Sequence, residues 1–288
     1  MHKINRRSFI GKTATGIGGI VAISQLPSLL SAQASAGAVN LPIGFQSFTI
    51  RDMLEKDFAG TLKMMANLGY KQVEMCSPAG YASMGFGHLV NKKTSEIKTM
   101  IKDAGLTCPS CHFGFGEFGD KLDERIEFSR DLGLSHMICS TFWLPKTATL
   151  KDYQDAADKL NKAAEKIKKG GMQAGFHNHD MEFAMLEGQL IYDVLMSHFD
   201  PDLVKMQFQT EVINLGYKAS DYFKKYPGRF ISSHLSDWTS DKKQVPVGQG
   251  VIDWKEFFAA TKTGGVQTIF VEMDFDKFKD SASYIKGL

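Results

Sequence analysis

The sequence has few cysteines and few tryptophans. Its 288 residues include four cysteines and three tryptophans. Cys108 and Cys111 have the spacing of a redox pair. They fall in a strand-like run, however, where positions i and i+3 face opposite sides and a bond between them would be strained. We therefore expect structural rather than redox-active cysteines at all four positions: 76, 108, 111 and 139.

The chain also has no large excess of charge of either sign. It contains 34 basic and 32 acidic residues. Four of the basic residues and none of the acids lie in the first 36 positions, so the remainder holds 30 basic and 32 acidic residues. This near-neutral balance argues against a nucleic-acid surface. Small neutral or polar ligands are the expected partners.

The N-terminal segment has the features of an export signal. Arg6 and Arg7 form a twin-arginine pattern, a short apolar stretch follows over 15–30, and small residues fill 31–36. The apolar stretch is too short and too interrupted to span a membrane comfortably. We expect residues 1–36 to be a twin-arginine signal peptide and the mature protein to be periplasmic or exported, with no stable membrane span after cleavage. The alternative is an uncleaved anchor or a lipoprotein, although no Cys lies near the predicted cleavage site.

No glycine-rich phosphate loop follows any predicted strand, which removes the usual signal of a nucleotide-binding doubly wound sheet. Strand-like apolar runs instead alternate with amphipathic, helix-like runs, the clearest over 58–68, 150–169 and 253–263. Glycines follow several of these helices, as expected of helix ends. Eight repeats in about 250 residues predict a (β/α)₈ TIM barrel, one domain over 40–288. The predicted strands begin near positions 43, 72, 107, 136, 172, 204, 230 and 267.

Polar residues follow the apolar strands at their predicted carboxyl ends. Residues 176–183 read Phe-His-Asn-His-Asp-Met-Glu-Phe. In a barrel the carboxyl ends of all strands meet at one face, where active sites form. We therefore expect a shared site built from Gln46, Glu74, His112, His177, His179, Glu182, Gln209, His234, Asp237 and Glu272.

Imidazole, carboxylate and amide groups together suit a divalent metal. A metal that binds two neighbouring sugar oxygens polarises the carbonyl and stabilises an enediolate, and a nearby Glu or His moves the proton. We expect Asp237 to orient the imidazole of His234. Trp143, Trp238, Phe115 and Phe118 fall on loops after strands, where they either stack on a sugar or pack within the loops.

The chain resembles the xylose isomerase-like TIM barrels, the sugar phosphate isomerase/epimerase group. The resemblance covers the whole region after the leader. The family includes an exported branch with twin-arginine leaders, which this chain resembles. It implies a metal-dependent enzyme that acts on carbohydrate, and dimers or tetramers. The segments that carry it are 44–48, 176–183, 225–230, 234–237, 247–254 and 270–274.

The resemblance also implies a ligand set, from which this chain departs. Epimerases of the family hold their metal with Glu, Asp, His and Glu from strands 5 to 8. His234 and Glu272 match in type, whereas His177 stands at the first Glu position and Gln209 at the Asp position. Fewer carboxylates favour Mn, Co, Zn or Fe over Mg, and Glu182 is a candidate to restore one charge.

The same departures affect the acid–base pair, of which only Glu272 remains; His177 or His112 is expected as its partner. The function expected is a metal-dependent sugar isomerase or epimerase. Two alternatives stay open: a 3-keto-glycoside lyase or hydrolase with the same chemistry, and a non-catalytic sugar-binding barrel. Endonuclease activity is excluded, since it needs a larger ligand set and a basic surface.

Overall fold

The structure, a computed structural model, describes residues 41–288. The signal peptide expected over 1–36 lies outside the described residues. Within 41–288, no helix is both long enough and apolar enough to cross a membrane.

Eight parallel strands close into a barrel in which each strand pairs with its neighbours in the chain and β8 pairs with β1. This confirms the predicted (β/α)₈ architecture. Observed and predicted strand starts agree to within one residue. The strands are β1 (Ile43–Gln46), β2 (Gln72–Cys76), β3 (Thr107–Phe113), β4 (His136–Cys139), β5 (Gln173–His177), β6 (Val204–Gln209), β7 (Phe230–Leu235) and β8 (Thr268–Val271).

Helices surround the barrel and alternate with its strands. Two antiparallel two-residue ladders lie in the loops after β5 and β7: Met185–Leu186 pairs with Gln189–Leu190, and Asp237–Trp238 pairs with Gln244–Val245. The helices are α1 (Arg51–Lys56), α2 (Phe58–Leu68), α3 (Thr94–Asp103), α4 (Leu122–Leu132), α5 (Leu150–Lys169), α6 (Ile191–His198), α7 (Ala219–Lys225), α8 (Trp254–Gly264) and α9 (Phe278–Lys286).

Local sequence explains where α2, one of the three clearest predicted helices, begins and ends. The side chain of Asp57 accepts a hydrogen bond from the amide of Gly60 at 2.9 Å and caps the start of α2. At its end Gly69 has φ 103°, a left-handed conformation that glycine adopts without steric cost. These two end signals fix a helix whose apolar face is packed on the barrel.

Successive side chains of a strand point to opposite sides, so the interior has one layer between strands and helices and a second layer in the barrel lumen. In β6, Met206 and Phe208 point outward to the helices, and Phe208 packs on Tyr222 of α7 with ring centroids 5.5 Å apart. The alternate residues Gln207 and Gln209 point into the barrel, where both are buried. The apolar core therefore lies between strands and helices, and the barrel lumen is free to carry polar side chains.

The four cysteines are all free and buried. Burial raises the pKa of the Cys108 thiol to about 12. The thiolate needed for redox chemistry is therefore disfavoured at this position. This agrees with the structural role expected from the sequence.

His136, the first residue of β4, should make the fold sensitive to acid. Burial lowers its pKa from 6.5 to about 4. Between those values the unfolded chain takes up a proton that the folded protein does not, so stability falls as pH drops from about 6.5 to 4. We expect His136→Asn to remove about 3 kcal/mol of this pH dependence, measured by urea unfolding at several pH values.

The matched control is His198→Asn. His198 pairs at the surface with Asp158 at 3.0 Å, and such pairs contribute less than about 1 kcal/mol. Equal pH dependence in the wild type and the His136 variant would show that His136 is not the group responsible.

Candidate active site at the carboxyl ends of the strands

The barrel lumen contains a fully buried carboxylate, Glu74 of β2. Its Oε1 accepts hydrogen bonds from Ser110 Oγ at 2.5 Å and Gln207 Nε2 at 2.7 Å. Its Oε2 lies 3.2 Å from His112 Nε2 and 2.5 Å from His234 Nε2. A carboxylate in a dry interior is tolerated only with such partners. Glu74 thereby ties β2 to β3, β6 and β7.

His234 is held between two carboxylates. Its Nε2 contacts Glu74, and its Nδ1 lies 2.8 Å from Glu272 Oε2. Ionised carboxylates only accept hydrogen bonds, so the ring donates from both nitrogens and carries a positive charge. Burial lowers the pKa of His234, but the two carboxylates outweigh this effect and raise the pKa to about 9.

The carboxylates respond in the opposite direction. Burial raises the pKa of Glu74, but His112 and His234 outweigh it and hold the pKa well below its usual range. Burial likewise raises the pKa of Glu272, and His234 again outweighs it, so that pKa is also lowered. Negative, positive and negative groups therefore alternate through the lumen at neutral pH.

Three imidazoles meet beside this chain of charges. The ring centroids of His112, His177 and His234 are 5.0, 4.4 and 5.1 Å apart. Each ring offers one nitrogen within 4.8 Å of the others. His177 Nδ1 is buried and has no hydrogen-bond partner in the described part of the chain. Burial first, then the neighbouring imidazoles, hold the pKa of His177 well below its usual value, so its ring is neutral.

Of the three alternating charged groups, Glu272 is the one that faces outward. Its side chain is 17 % exposed, whereas those of Glu74 and His234 are fully buried. Gln209 Nε2 donates to Glu272 Oε2 at 2.6 Å. Both hydrogen bonds to Glu272 fall on Oε2, which leaves Oε1 available to a bound molecule.

His179 and Trp143 lie further out. The His179 ring is 4.8 Å from that of His177 and 6.1 Å from that of Trp143. Its Nδ1 is buried and has no hydrogen-bond partner within 41–288. Trp143 is 65 % exposed and has φ 51°, a left-handed conformation unusual for a bulky residue. These two residues connect the buried cluster to the surface.

The donor set suits a divalent metal. The lumen offers three imidazoles, of which one has an unsatisfied nitrogen, and two carboxylates held ionised. Imidazole and carboxylate are ligands of Zn²⁺ and other transition metals. The residues present therefore fit a metal.

Comparison with known proteins identifies the family. The model of the xylose isomerase-like TIM barrel family matches residues 62–287. The chain belongs to this family. No curated protein matches the sequence significantly.

Several solved structures of the xylose isomerase-like TIM barrel share the fold. A sugar phosphate isomerase/epimerase from Parabacteroides distasonis superposes with TM-score 0.75 at 22% identity, covering 88% of this chain and 96% of that one. An IOLI protein with a bound zinc atom gives 0.63 at 13% identity, covering 86% and 94%. A Mycobacterium smegmatis protein of the family in complex with magnesium gives 0.61 at 13%, covering 87% and 97%.

Two residues expected at the metal are occupied elsewhere. Glu182 accepts hydrogen bonds from Thr141 Oγ1 at 3.2 Å and from the amide of His179 at 2.7 Å. Both its oxygens thus hold the loop after β5, and burial raises the pKa of Glu182 to about 7. The expectation that Glu182 replaces a family carboxylate stays a prediction. Gln209 directs its amide nitrogen to Glu272, as described above.

Asp237 does not orient His234, because Glu74 and Glu272 occupy both ring nitrogens. Its carboxylate accepts from the amides of Gly248 and Gly250 at 2.9 and 3.0 Å, and from the indole of Trp254 at 2.8 Å. This part of the prediction is wrong. Asp237 organises the loop after β7.

The remaining predicted residues divide between the site and the loops. Gln46 Nε2 lies 3.4 Å from Glu74 Oε2 and belongs to the buried network. Trp238 donates to Ser236 Oγ at 3.1 Å within its own segment. Phe115 packs on Phe142 with centroids 4.7 Å apart, and Phe118 on Phe113 at 6.2 Å, as ordinary loop packing.

Sequence reasoning assigned no role to three members of the network: Ser110, Gln207 and Ser232. Gln207 Nε2 donates to Ser232 Oγ at 2.9 Å as well as to Glu74. Each lies two residues before a predicted site residue. Those site residues are, in the same order, His112, Gln209 and His234. Since side chains two apart share a face of a strand, this spacing was the signal that could have found them.

The loop role of Asp237 predicts a stability effect. Asp237→Ala would leave several buried donors unpaired, so we expect a loss of roughly 2–4 kcal/mol in the free energy of unfolding. Chemical denaturation measures this. Asp241→Ala is the control, because Asp241 lies in the same loop but pairs at the surface with Lys243 at 2.8 Å. Equal effects of both substitutions would contradict the assigned role.

Proposed function

We propose that the protein is a metal-dependent isomerase or epimerase that acts on a free or keto sugar through an enediolate. The observation that carries this proposal is the ionised, partly open carboxylate of Glu272 beside a buried imidazole cluster. A divalent metal bound in this cluster would polarise the sugar carbonyl and stabilise the charge that develops on its oxygen.

Glu272 is the group proposed to take the proton from the carbon next to the carbonyl. His234 and Gln209 hold its Oε2 at 2.8 and 2.6 Å and fix the orientation of the carboxylate. Because Oε1 receives neither bond, it is the oxygen that can reach substrate. The lowered pKa keeps Glu272 ionised at neutral pH, the form that accepts a proton, and also makes it a weaker base than a free carboxylate.

The second proton-transfer group is proposed to be an imidazole of the same cluster. Burial lowers the pKa of both His177 and His179, so both rings are neutral and can accept a proton or hydrogen-bond a sugar hydroxyl. His177 packs against the rings of His112 and His234, with centroids 5.0 and 4.4 Å away, and these two rings contact Gln207 and Glu74 of the buried network.

We also propose a cellular location, the periplasm or the cell exterior. The twin-arginine pattern at Arg6 and Arg7 supports export, and a periplasmic enzyme would meet free sugars rather than sugar phosphates. Small-molecule carbohydrate is therefore the proposed partner, and a homo-oligomer is the proposed assembly.

Exchange of substrate hydrogen with solvent tests the proposal. The protein is incubated with candidate aldoses, ketoses and keto sugars in D₂O, and deuterium at sugar carbons is followed by NMR. We expect Glu272→Gln to lower the exchange rate at least about 100-fold, because the amide cannot accept the proton. Asp274→Asn is the matched control, since Asp274 is exposed and pairs with Lys277 at 3.2 Å.

Three outcomes of this experiment are informative. Exchange lost in the Glu272 variant and kept in the Asp274 variant supports the proposal. Sugar binding with no exchange in the wild type would overturn it in favour of a binding barrel. Exchange that survives Glu272→Gln would remove Glu272 from the proton transfer.

Exposed Trp143 favours one second candidate, lyase or hydrolase activity on a 3-keto-glycoside. Its indole stands at the mouth next to His179, where a group beyond one sugar ring would lie. The same carbanion chemistry would then expel the substituent β to the carbonyl.

A 3-keto-glucoside separates the two reactions: aglycone release indicates elimination or hydrolysis, and inversion at carbon indicates epimerisation. For a glycoside, we expect Trp143→Ala to raise KM roughly tenfold, because the indole loses its stacking contact. The KM for a monosaccharide should change little. A KM for the glycoside equal to that of the wild type would remove Trp143 from recognition.

A further inference from the structure

We infer that the metal is held by His112, His177 and His234 with Glu74 as the fourth ligand, and that Glu272 and Gln209 are not ligands. This site lies deeper than the family pattern of strands 5 to 8, because two of its donors come from β2 and β3. The inference deepens the proposed function and rests on it for the reaction, but not for the binding of the ion.

The spacing of the three imidazoles fits convergence on one ion. Rings bound through nitrogen at roughly 2.1 Å, with angles of about 90 to 110° between them, have centroids roughly 4.6 to 5.3 Å apart. The observed separations are 4.4, 5.0 and 5.1 Å. The nitrogen atoms already lie within 4.8 Å of one another. To bind an ion here, His112 Nε2 would give up its 2.6 Å contact with Gln207 Oε1, and His234 Nε2 would give up its contact with Glu74 Oε2.

His177 supplies an independent sign that something belongs at this place. The residue is 1 % exposed, and its Nδ1 has no hydrogen-bond partner in the described range. A buried polar atom without a partner costs about 1–3 kcal/mol. The ring nevertheless lies between two other imidazoles rather than among apolar side chains. An ion bound by the three rings explains why three such groups are buried together.

Glu74 is suited to act as a one-oxygen ligand. Its Oε1 is engaged by Ser110 and Gln207 at 2.5 and 2.7 Å, which fixes the carboxylate. Its Oε2 faces the Nε2 atoms of His112 and His234 at 3.2 and 2.5 Å. Ligand atoms around one ion are roughly 3.0 to 3.4 Å apart, so the shorter contact needs to lengthen by roughly half an ångström.

The alternative position, nearer the mouth, has a weaker donor set. There Glu272 and the Nδ1 of His234 are joined by Gln209, which presents an amide nitrogen rather than an oxygen to the carboxylate. Glu182, the other candidate carboxylate, is held in the loop after β5 by Thr141 and the amide of His179. One carboxylate with the imidazoles of His177 and His234 makes a weaker site for a divalent ion than three imidazoles with one carboxylate.

In this assignment Glu272 orients a metal ligand and does not bind the metal itself. With Nε2 of His234 on the ion, its Nδ1 donates to Glu272, an arrangement in which a carboxylate orients a metal-bound histidine. Oε1 of Glu272 then stays free to take a substrate proton. Since His112 and His177 are ligands, His179 remains as the imidazole next to the substrate.

The ligand set also predicts selectivity. Three imidazoles, once His234 has released its Nε2 proton to the solvent, and one carboxylate favour Zn²⁺, Co²⁺ or Fe²⁺, whereas Mg²⁺ prefers oxygen ligands and retains water. We therefore expect the full chain, stripped with a chelator, to bind Co²⁺ or Zn²⁺ with one ion per chain. Mg²⁺ in 100-fold excess should not displace Co²⁺. Visible absorption of bound Co²⁺ measures both.

X-ray absorption of the zinc- or cobalt-loaded wild type counts its imidazole ligands and needs no variant. Three imidazoles are expected. A count of one or two would overturn the assignment and place the ion at Glu272 and Gln209. The experiment reads the ion alone, so it can succeed even if no sugar C–H exchanges, an outcome that would overturn only the proposed function.

Substitutions then distinguish the two positions by the Kd of Co²⁺. We expect His112→Asn to raise the Kd at least about 100-fold and Glu74→Gln at least about tenfold, because each removes a ligand. Gln209→Ala is the matched control from the alternative position and should change the Kd less than about threefold. Circular dichroism checks the folding of each variant.

The reverse pattern, with Gln209→Ala damaging and His112→Asn neutral, would overturn the inference. So would the absence of Co²⁺ and Zn²⁺ binding in the wild type, which would leave the cluster as a proton relay. If His112→Asn or Glu74→Gln fails to fold, the imidazole count of the wild type decides.

Discussion

The buried carboxylate of Glu74 is the group on which the site depends. Taking a carboxylate out of water costs several kcal/mol unless partners replace the lost hydration. Here donors from β1, β3, β6 and β7 surround it. A charge in the lumen therefore determines which side chains of the other strands face inward and how their rings are oriented. Without Glu74, the positive charge on His234 would lose one of its two compensating partners.

The alternation of charge extends from this centre to the mouth. Glu74, His234 and Glu272 form a negative, positive, negative chain whose outer member is partly open to solvent. Each group holds the next in its ionised state, which is why an imidazole that is fully buried stays charged. The open end of the chain is where a substrate proton can be exchanged. The site is thus a buried electrostatic framework with one accessible carboxylate.

Two polar residues that follow strands contribute to the loops instead. Asp237 and Glu182 both occur in segments that resemble the family, and both follow strands that carry site histidines. Their oxygens are used by backbone amides of the loops after β7 and β5. A strand-end carboxylate can serve substrate or loop equally well, because loops at this face also expose unpaired amides. Residue type and position do not separate the two roles.

The sequence by itself determined the barrel, since the period of apolar residues, the glycine stops and the eight repeats are local signals that agree with the closed sheet. It also determined the face on which the site forms, because parallel strands bring His112, His177, His234 and Glu272 to the same end. Only the tertiary structure decided which polar atoms meet. The contacts of Glu74 with Gln207 and His234 span 133 and 160 residues, and their geometry follows from strand stagger and barrel closure. Those are properties of the whole sheet that no single segment encodes.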